Sequence, residues 1–179
     1  MISRYDELTL EELEQNLAKI ETNVMSFSCN KIKSKRLYLA GPWFSQKADL
    51  MEKCIYNIYK NVKGNSEYIP FRPRTENKKT SFETFKGNID SVYDADLVVA
   101  NISEKDVGTA FEIGFAAALG KDIILLGYDK TDFQKKTNLM LAFAGNQCIE
   151  LKNLWKVFTG DIDYSKDTVD FNTAWENIE

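Results

Sequence analysis

Two short runs limit the folds open to this chain more than anything else in it. Asp96–Ile102 reads DLVVANI and Asp122–Tyr128 reads DIILLGY, and neither alternates apolar with polar residues. A strand with one face in water does alternate, so unbroken runs of this kind suit strands buried on both faces. Such strands sit in parallel sheets covered by helices, and parallel neighbours need a long crossover between them. The segment between the two runs, Gly108–Leu119, has the small, apolar, helical character of such a crossover. The rest of the chain repeats the alternation. RLYLA at 36–40 reads as a strand closed by the turn GPWF, and Gln46–Lys63 carries Leu50, Met51, Ile55 and Ile58 in a helical pattern. YIPF at 68–71 reads as a strand, Phe82–Tyr93 as a helix, QCIEL at 147–151 as a strand and NLWKVF at 153–158 as a short helix. The fold expected is α/β: an open, mostly parallel, five-stranded Rossmann- or flavodoxin-like sheet with helices on both faces.

Ahead of that domain, Thr9-Leu10-Glu11-Glu12 forms a capping box, and Leu10, Leu13, Leu17 and Ile20 follow at helical spacing. The polar, basic stretch SFSCNKIKSKR then reads as a linker. Residues 1–35 are therefore expected to be a helical extension and linker, packed on the main domain or on another subunit, and residues 36–179 the α/β domain.

Composition excludes several chemistries. There is no histidine, which removes Ser-His-Asp and Cys-His catalysis, His-ligated zinc and any imidazole base. The three cysteines, Cys29, Cys54 and Cys148, are far apart and show neither metal spacing nor a CxxC pair, so buried thiols are expected. A net charge of −4 argues against general nucleic-acid or membrane-surface binding. No apolar run approaches a membrane span, and the acidic N-terminus lacks the apolar core of a signal peptide, so the expected location is the cytoplasm. Carboxylates must then carry any acid–base or nucleophilic work.

Ligands of open α/β sheets bind beyond the carboxyl ends of the strands. Three loops fall there in this reading: AGPWF, FRPRTENKK and SEKDVG. Neither GxGxxG nor GxxxxGK[ST] occurs in the sequence, so a dinucleotide or P-loop site lacks its fingerprint. Short glycine turns suit a small ligand approached by backbone and aromatic side chains instead. The SEKDVG loop leads into the helix that carries Glu112, a lone acid among small apolar residues. The helix dipole there favours the ionised carboxylate by ~0.3–1 kcal/mol. Asp106, earlier in the same loop, is placed to share the crevice, and two carboxylates about one bond are what retaining glycosidic cleavage uses. Spacing alone also allows Glu112 to be only a helix residue and Asp106 only the turn.

The motifs LYLAGPWF, DADLVVANI, DVGTAFEIGFAAALGK and NLM, in this order, resemble the nucleoside 2-deoxyribosyltransferases over roughly residues 36–150. The D-x-G-T-A-x-E-x-G element is the most specific of them. The resemblance implies transfer of a 2-deoxyribosyl group between nucleobases through a covalent glycosyl-carboxylate intermediate, with no metal or cofactor. It implies Glu112 as nucleophile, Asp106 as the acid that contacts the base, and Tyr38 as the tyrosine that orients the nucleophile. It places Gly41, Trp43, Phe44, Asn88 and Gly108 at the base and sugar. Asn138 and Met140 are implied to reach a neighbour's site, which makes the protein a homo-oligomer with shared sites. Its partners would be 2′-deoxynucleosides and free nucleobases.

Many relatives carry aspartate where this chain has Asn88; an amide binds a base edge but cannot be a general acid. Asp90 lies about 200° around the helix from Asn88 and is a poor substitute. The resemblance also leaves room for a C-terminal contribution, with Tyr164 and Trp175 as the residues at hand. Two other readings compete. One is a 2′-deoxynucleoside 5′-monophosphate N-glycoside hydrolase, with Arg72, Arg74, Lys78 and Lys79 as a phosphate site. The other is a non-catalytic nucleoside-binding module.

Overall fold

The computed structural model describes residues 3–25, 36–42, 44–63, 80–134 and 139–169. Among these residues, four parallel strands form one sheet in the order β1 (Leu37–Ala40), β2 (Leu97–Asn101), β3 (Asp122–Gly127) and β4 (Gln147–Glu150). The register pairs Tyr38 with Val98, Val98 with Ile123, and Leu125 with Cys148. The expected strand at 68–71 lies outside the described residues. The other four are present within a residue or two of their expected bounds.

Among the described residues, eight helices connect and cover the strands: α1 (Arg4–Glu7), α2 (Leu10–Met25), α3 (Gln46–Lys63), α4 (Ser81–Asp94), α5 (Val107–Ala118), α6 (Lys130–Gln134), α7 (Leu139–Ala144) and α8 (Leu154–Thr159). Because strand side chains alternate between faces, the sheet builds two cores. On one face Leu37, Leu39, Val99, Ile124, Leu126 and Ile149 pack with residues of α2, α3 and α8. On the other, Tyr38, Val98, Ala100, Ile123, Leu125 and Cys148 pack with Val92 of α4, Ile113 and Ala116 of α5, and Phe133 of α6. Burial on both faces is what the unbroken apolar runs require. Each fully buried Leu or Ile side chain contributes roughly 1.5–3 kcal/mol.

Local signals explain the helix ends. Thr9 and Glu12 form the expected capping box: the Thr9 N–H donates to Glu12 Oε2 at 2.9 Å and the Glu12 N–H donates to Thr9 Oγ1 at 3.3 Å. Thr80 and Glu83 make an equivalent box at the start of α4. Gly160, in the left-handed region at φ 76°, ends α8, a conformation that costs glycine no Cβ clash. Beyond α8 the chain turns back along β4, where the Val169 N–H donates to the Cys148 carbonyl at 2.9 Å. That return contacts the outer side of β4.

The N-terminal segment packs on its own domain. Leu13, Leu17 and Val24 of α2 are buried in the core shared with α3, whereas Leu10 faces outward. Cys54 and Cys148 are free and buried, and burial pushes the Cys148 thiol up to about 12; Cys29 lies outside the described residues. No helix among the described residues is long and apolar enough to cross a membrane.

Candidate active site

Glu112 sits in the second turn of α5, and its side chain turns inward toward Tyr38 of β1. Its relative exposure is only 8%. Two side chains from other elements meet it there. The Tyr38 O–H on β1 donates to Glu112 Oε1 at 2.6 Å, a short, buried, charge-assisted bond. Asn88 Nδ2 on α4 approaches the same oxygen at 3.5 Å. Residues 38, 88 and 112 thus converge from three elements, with both contacts on Oε1. The Oδ1 of Asn88 is buried and has no hydrogen-bond partner among the described residues. A buried acceptor left unmade costs about 1–3 kcal/mol, so this atom is suited to receive an N–H or O–H from a ligand.

The electrostatics differ from the sequence-based expectation. The helix dipole was expected to keep Glu112 ionised at neutral pH. Burial instead pushes the carboxyl up to about 7, opposed by the Tyr38 hydrogen bond and reinforced by the nearby Asp106 charge. Desolvation outweighs a dipole worth at most about 1 kcal/mol, because Glu112 lies past the first turn where the dipole acts most strongly. Near neutrality such a carboxyl is divided between its protonated and ionised forms. Burial and the facing Glu112 charge raise the Tyr38 hydroxyl as well, so Tyr38 stays a hydrogen-bond donor.

Asp106 is the N-cap of α5. Its Oδ2 accepts from the Thr109 N–H at 2.6 Å and from the Thr109 hydroxyl at 2.8 Å. The cap therefore engages one carboxylate oxygen, and the other makes no hydrogen bond among the described residues. Capping and a chemical role are compatible through different oxygens. Gly108 has a steric reason to be glycine: a Cβ there would lie 3.1 Å from Asp106 Oδ2. Thr109, which holds Asp106 in place, was not singled out from the sequence. Its only signal there was the position three residues after an acid at a helix start.

Gly41 is buried directly after β1, and Phe44, in the same loop, is 88% exposed. Met140 on α7 is also exposed. Trp43 and Asn138 lie outside the described residues, as do Arg72, Arg74, Lys78, Lys79 and Trp175. Asp90 is exposed, in keeping with its place away from Asn88. Tyr164 lines a cavity with Leu97 and Asp122, at the amino ends of the strands. That is the end of the sheet away from the loop that carries Asp106.

A comparison with curated protein sequences returns no match. Among solved structures, the chain resembles a 2-deoxyribosyltransferase from Bacillus psychrosaccharolyticus at 24% identity and a TM-score of 0.50, covering 78% of this chain and 95% of that one. A 2-desoxiribosyltransferase from Leishmania mexicana aligns at 24% identity and a TM-score of 0.44 over 60% of this chain and 77% of the other. A conserved protein from Enterococcus faecalis V583 aligns at 20% identity and a TM-score of 0.48, over 73% and 100%. The Bacillus structure supports the shared α/β fold. The sequence model of the nucleoside 2-deoxyribosyltransferases matches residues 37–140, a stretch that holds Tyr38, Asn88, Asp106 and Glu112. Spanning more than half of the residues, that match places the chain in the nucleoside 2-deoxyribosyltransferase family.

Proposed function

We propose that the protein moves the 2-deoxyribosyl group of 2′-deoxynucleosides from one nucleobase to another through an ester on Glu112. The observation that carries this reading is the buried Tyr38–Glu112 pair. Tyr38 and Asn88 both engage Oε1, which leaves Oε2 free to attack C1′. As the Oε2–C1′ bond forms, the N-glycosidic bond breaks and its electron pair goes to the base nitrogen, which is then protonated. Asp106 is the proton handler in this scheme, because Asn88 is an amide and cannot donate an acidic proton. In the second half an incoming base nitrogen attacks C1′, the ester C–O bond breaks, and the pair returns to Glu112. The incoming base gives up its proton to Asp106. Atoms and charge balance with no further reactant.

In this reading Phe44, exposed in the loop that follows β1, supplies a flat surface for the base. An aromatic ring there stacks on a base without regard to its edge. We infer also that a second copy of the chain covers the apolar face formed by Phe82 and Phe85 of α4, Val107 and Phe111 of α5, and Met140 and Phe143 of α7. All six are exposed, and the Phe85 and Phe111 rings lie 6.3 Å apart. Large apolar patches of this kind mark interfaces, and Met140 within it agrees with a site completed by a neighbour through Asn138 and Met140.

Incubating the protein with 2′-deoxyinosine plus adenine, and with thymidine plus adenine, tests the reading. New 2′-deoxyadenosine is expected, with little free sugar. Faster cleavage of the matching 5′-monophosphates to sugar phosphate would make the protein a nucleotide hydrolase. Binding without turnover would make it a nucleoside-binding module.

A further inference from the structure

The short helix α1 reaches the loops that follow all three of β1, β2 and β3. Tyr5 is 1% exposed, and its hydroxyl donates to Glu104 Oε1 at 3.0 Å. The same Oε1 accepts a short hydrogen bond from Ser45 Oγ. Ser45 Oγ in turn accepts from the Ala48 N–H at 2.9 Å at the start of α3. One carboxylate oxygen thus joins α1, the loop after β1 and the loop after β2. Further contacts fix α1 in place. Lys47 Nζ donates to the Tyr5 carbonyl at 2.9 Å and to the Asp6 carbonyl at 3.1 Å, 5.4 Å from the Tyr5 ring centroid. The Arg4 N–H donates to Thr131 Oγ1 at 2.9 Å, and the Tyr5 and Tyr128 rings lie 6.1 Å apart, both beyond β3.

Glu104 is two residues before Asp106, the cap of the helix that carries Glu112. Ser45 follows Phe44 in the loop that begins at Gly41. The loops tied together are therefore the one that holds Gly41 and Phe44 and the one that ends at Asp106. We propose that the N-terminal segment is a working part of the active site, with Tyr5 and Glu104 as positioning residues that hold the first and second loops in register over Glu112. A part-buried carboxylate that accepts from two elements has a fixed geometry, since loss of either donor leaves charge poorly compensated. Glu104 touches no reacting atom in this scheme. Its influence passes through the backbone to Asp106, and through Ser45 to the base-stacking loop. The kinetic consequence rests on the deoxyribosyl-transfer reading; the mechanical one does not.

Three full-length variants test it: Tyr5→Phe, Glu104→Ala and Glu104→Gln. Phenylalanine keeps the buried ring and removes only the donor, so it is the variant least prone to misfold. Glutamine keeps an acceptor oxygen for Tyr5 and Ser45, and alanine keeps none. Amide hydrogen exchange is read over residues 41–48 and 104–112, with Val98–Ala100 as an internal reference. Tyr5→Phe and Glu104→Ala are expected to speed exchange in both loops by about tenfold with the β2 reference unchanged, while Glu104→Gln stays near wild type. The factor is the scale of one hydrogen bond to a charged acceptor. In the base-exchange assay the same two variants should lose about tenfold in kcat with a smaller change in KM, and Glu104→Gln should recover most of it. Unchanged loop exchange in Tyr5→Phe would overturn the proposal, as would Glu104→Gln behaving like Glu104→Ala. If the wild type transfers no deoxyribose, the activity reading fails by itself and the hydrogen-exchange result still decides whether the tether exists.

Discussion

Replacing Glu112 with glutamine should stabilise the protein and silence it. The side chain keeps its shape and an acceptor oxygen for Tyr38, while the buried charge disappears. The size of the gain follows from the carboxyl's displacement from 4.5 to about 7. At ~1.4 kcal/mol per pH unit, this corresponds to about 3 kcal/mol. The sign follows from proton linkage. The folded-state value is raised, so the unfolded chain loses this proton first as pH rises. Wild-type stability is therefore whole below about pH 4.5, falls between 4.5 and about 7, and stays reduced above that. Glu112→Gln does not titrate, so its advantage is near zero at pH 4 and complete by about pH 8.5. For a chain of this size, the gain amounts to roughly 6–12 °C in Tm. Urea denaturation of both proteins at half-unit steps from pH 4 to 9 measures it directly. A variant no more stable than wild type at pH 8.5 would refute the reasoning. A gain that persists unchanged at pH 4 would also refute it, because the buried charge is absent there.

Two further outcomes follow from the site. Tyr38→Phe removes the hydrogen bond that opposes the upward displacement of Glu112. The acid limb of kcat/KM, expected near pH 7 in the wild type, should therefore move up by about one to two pH units, and an unmoved limb would detach Tyr38 from Glu112. Asp106→Asn separates the two roles of that residue, since asparagine caps a helix about as well as aspartate but handles no proton. Its denaturation midpoint should stay near wild type while base exchange falls by about 10²-fold, whereas Asp106→Ala should also lose ~1 kcal/mol of stability. Full activity in Asp106→Asn would reduce Asp106 to a cap.

Much of the framework was legible because its causes are local. The bounds of α3 match the apolar pattern of Gln46–Lys63, and the unbroken apolar runs of β2 and β3 read as strands covered on both sides. Thr9 and Glu12 announced the start of α2 because a capping box is made within four residues. The pairing of Tyr38 with Glu112 came from family resemblance, since no spacing rule connects residues 74 apart. What stayed hidden depends on tertiary packing. Tyr5 reads as one aromatic residue in a polar stretch, and only the fold shows it buried against Glu104 and Tyr128. Leu10 belongs to the helical stripe by spacing yet faces outward, because α2 rolls so that Leu13, Leu17 and Val24 meet the core. The charge balance at Glu112 was misjudged for the same reason. Dipole position can be counted along a helix, but desolvation depends on what the other elements place around it.

A covalent bond between Glu112 and the sugar is the central step of the proposed reaction. A nucleoside carrying 2-fluoro-2-deoxy sugar slows hydrolysis of the ester and lets the intermediate accumulate for peptide mass spectrometry. One added fluorodeoxyribosyl group is expected on the peptide that holds Glu112, none in Glu112→Gln, and loss of the label when a free base is added. A label on another residue, or base exchange by Glu112→Gln at the wild-type rate, would contradict it.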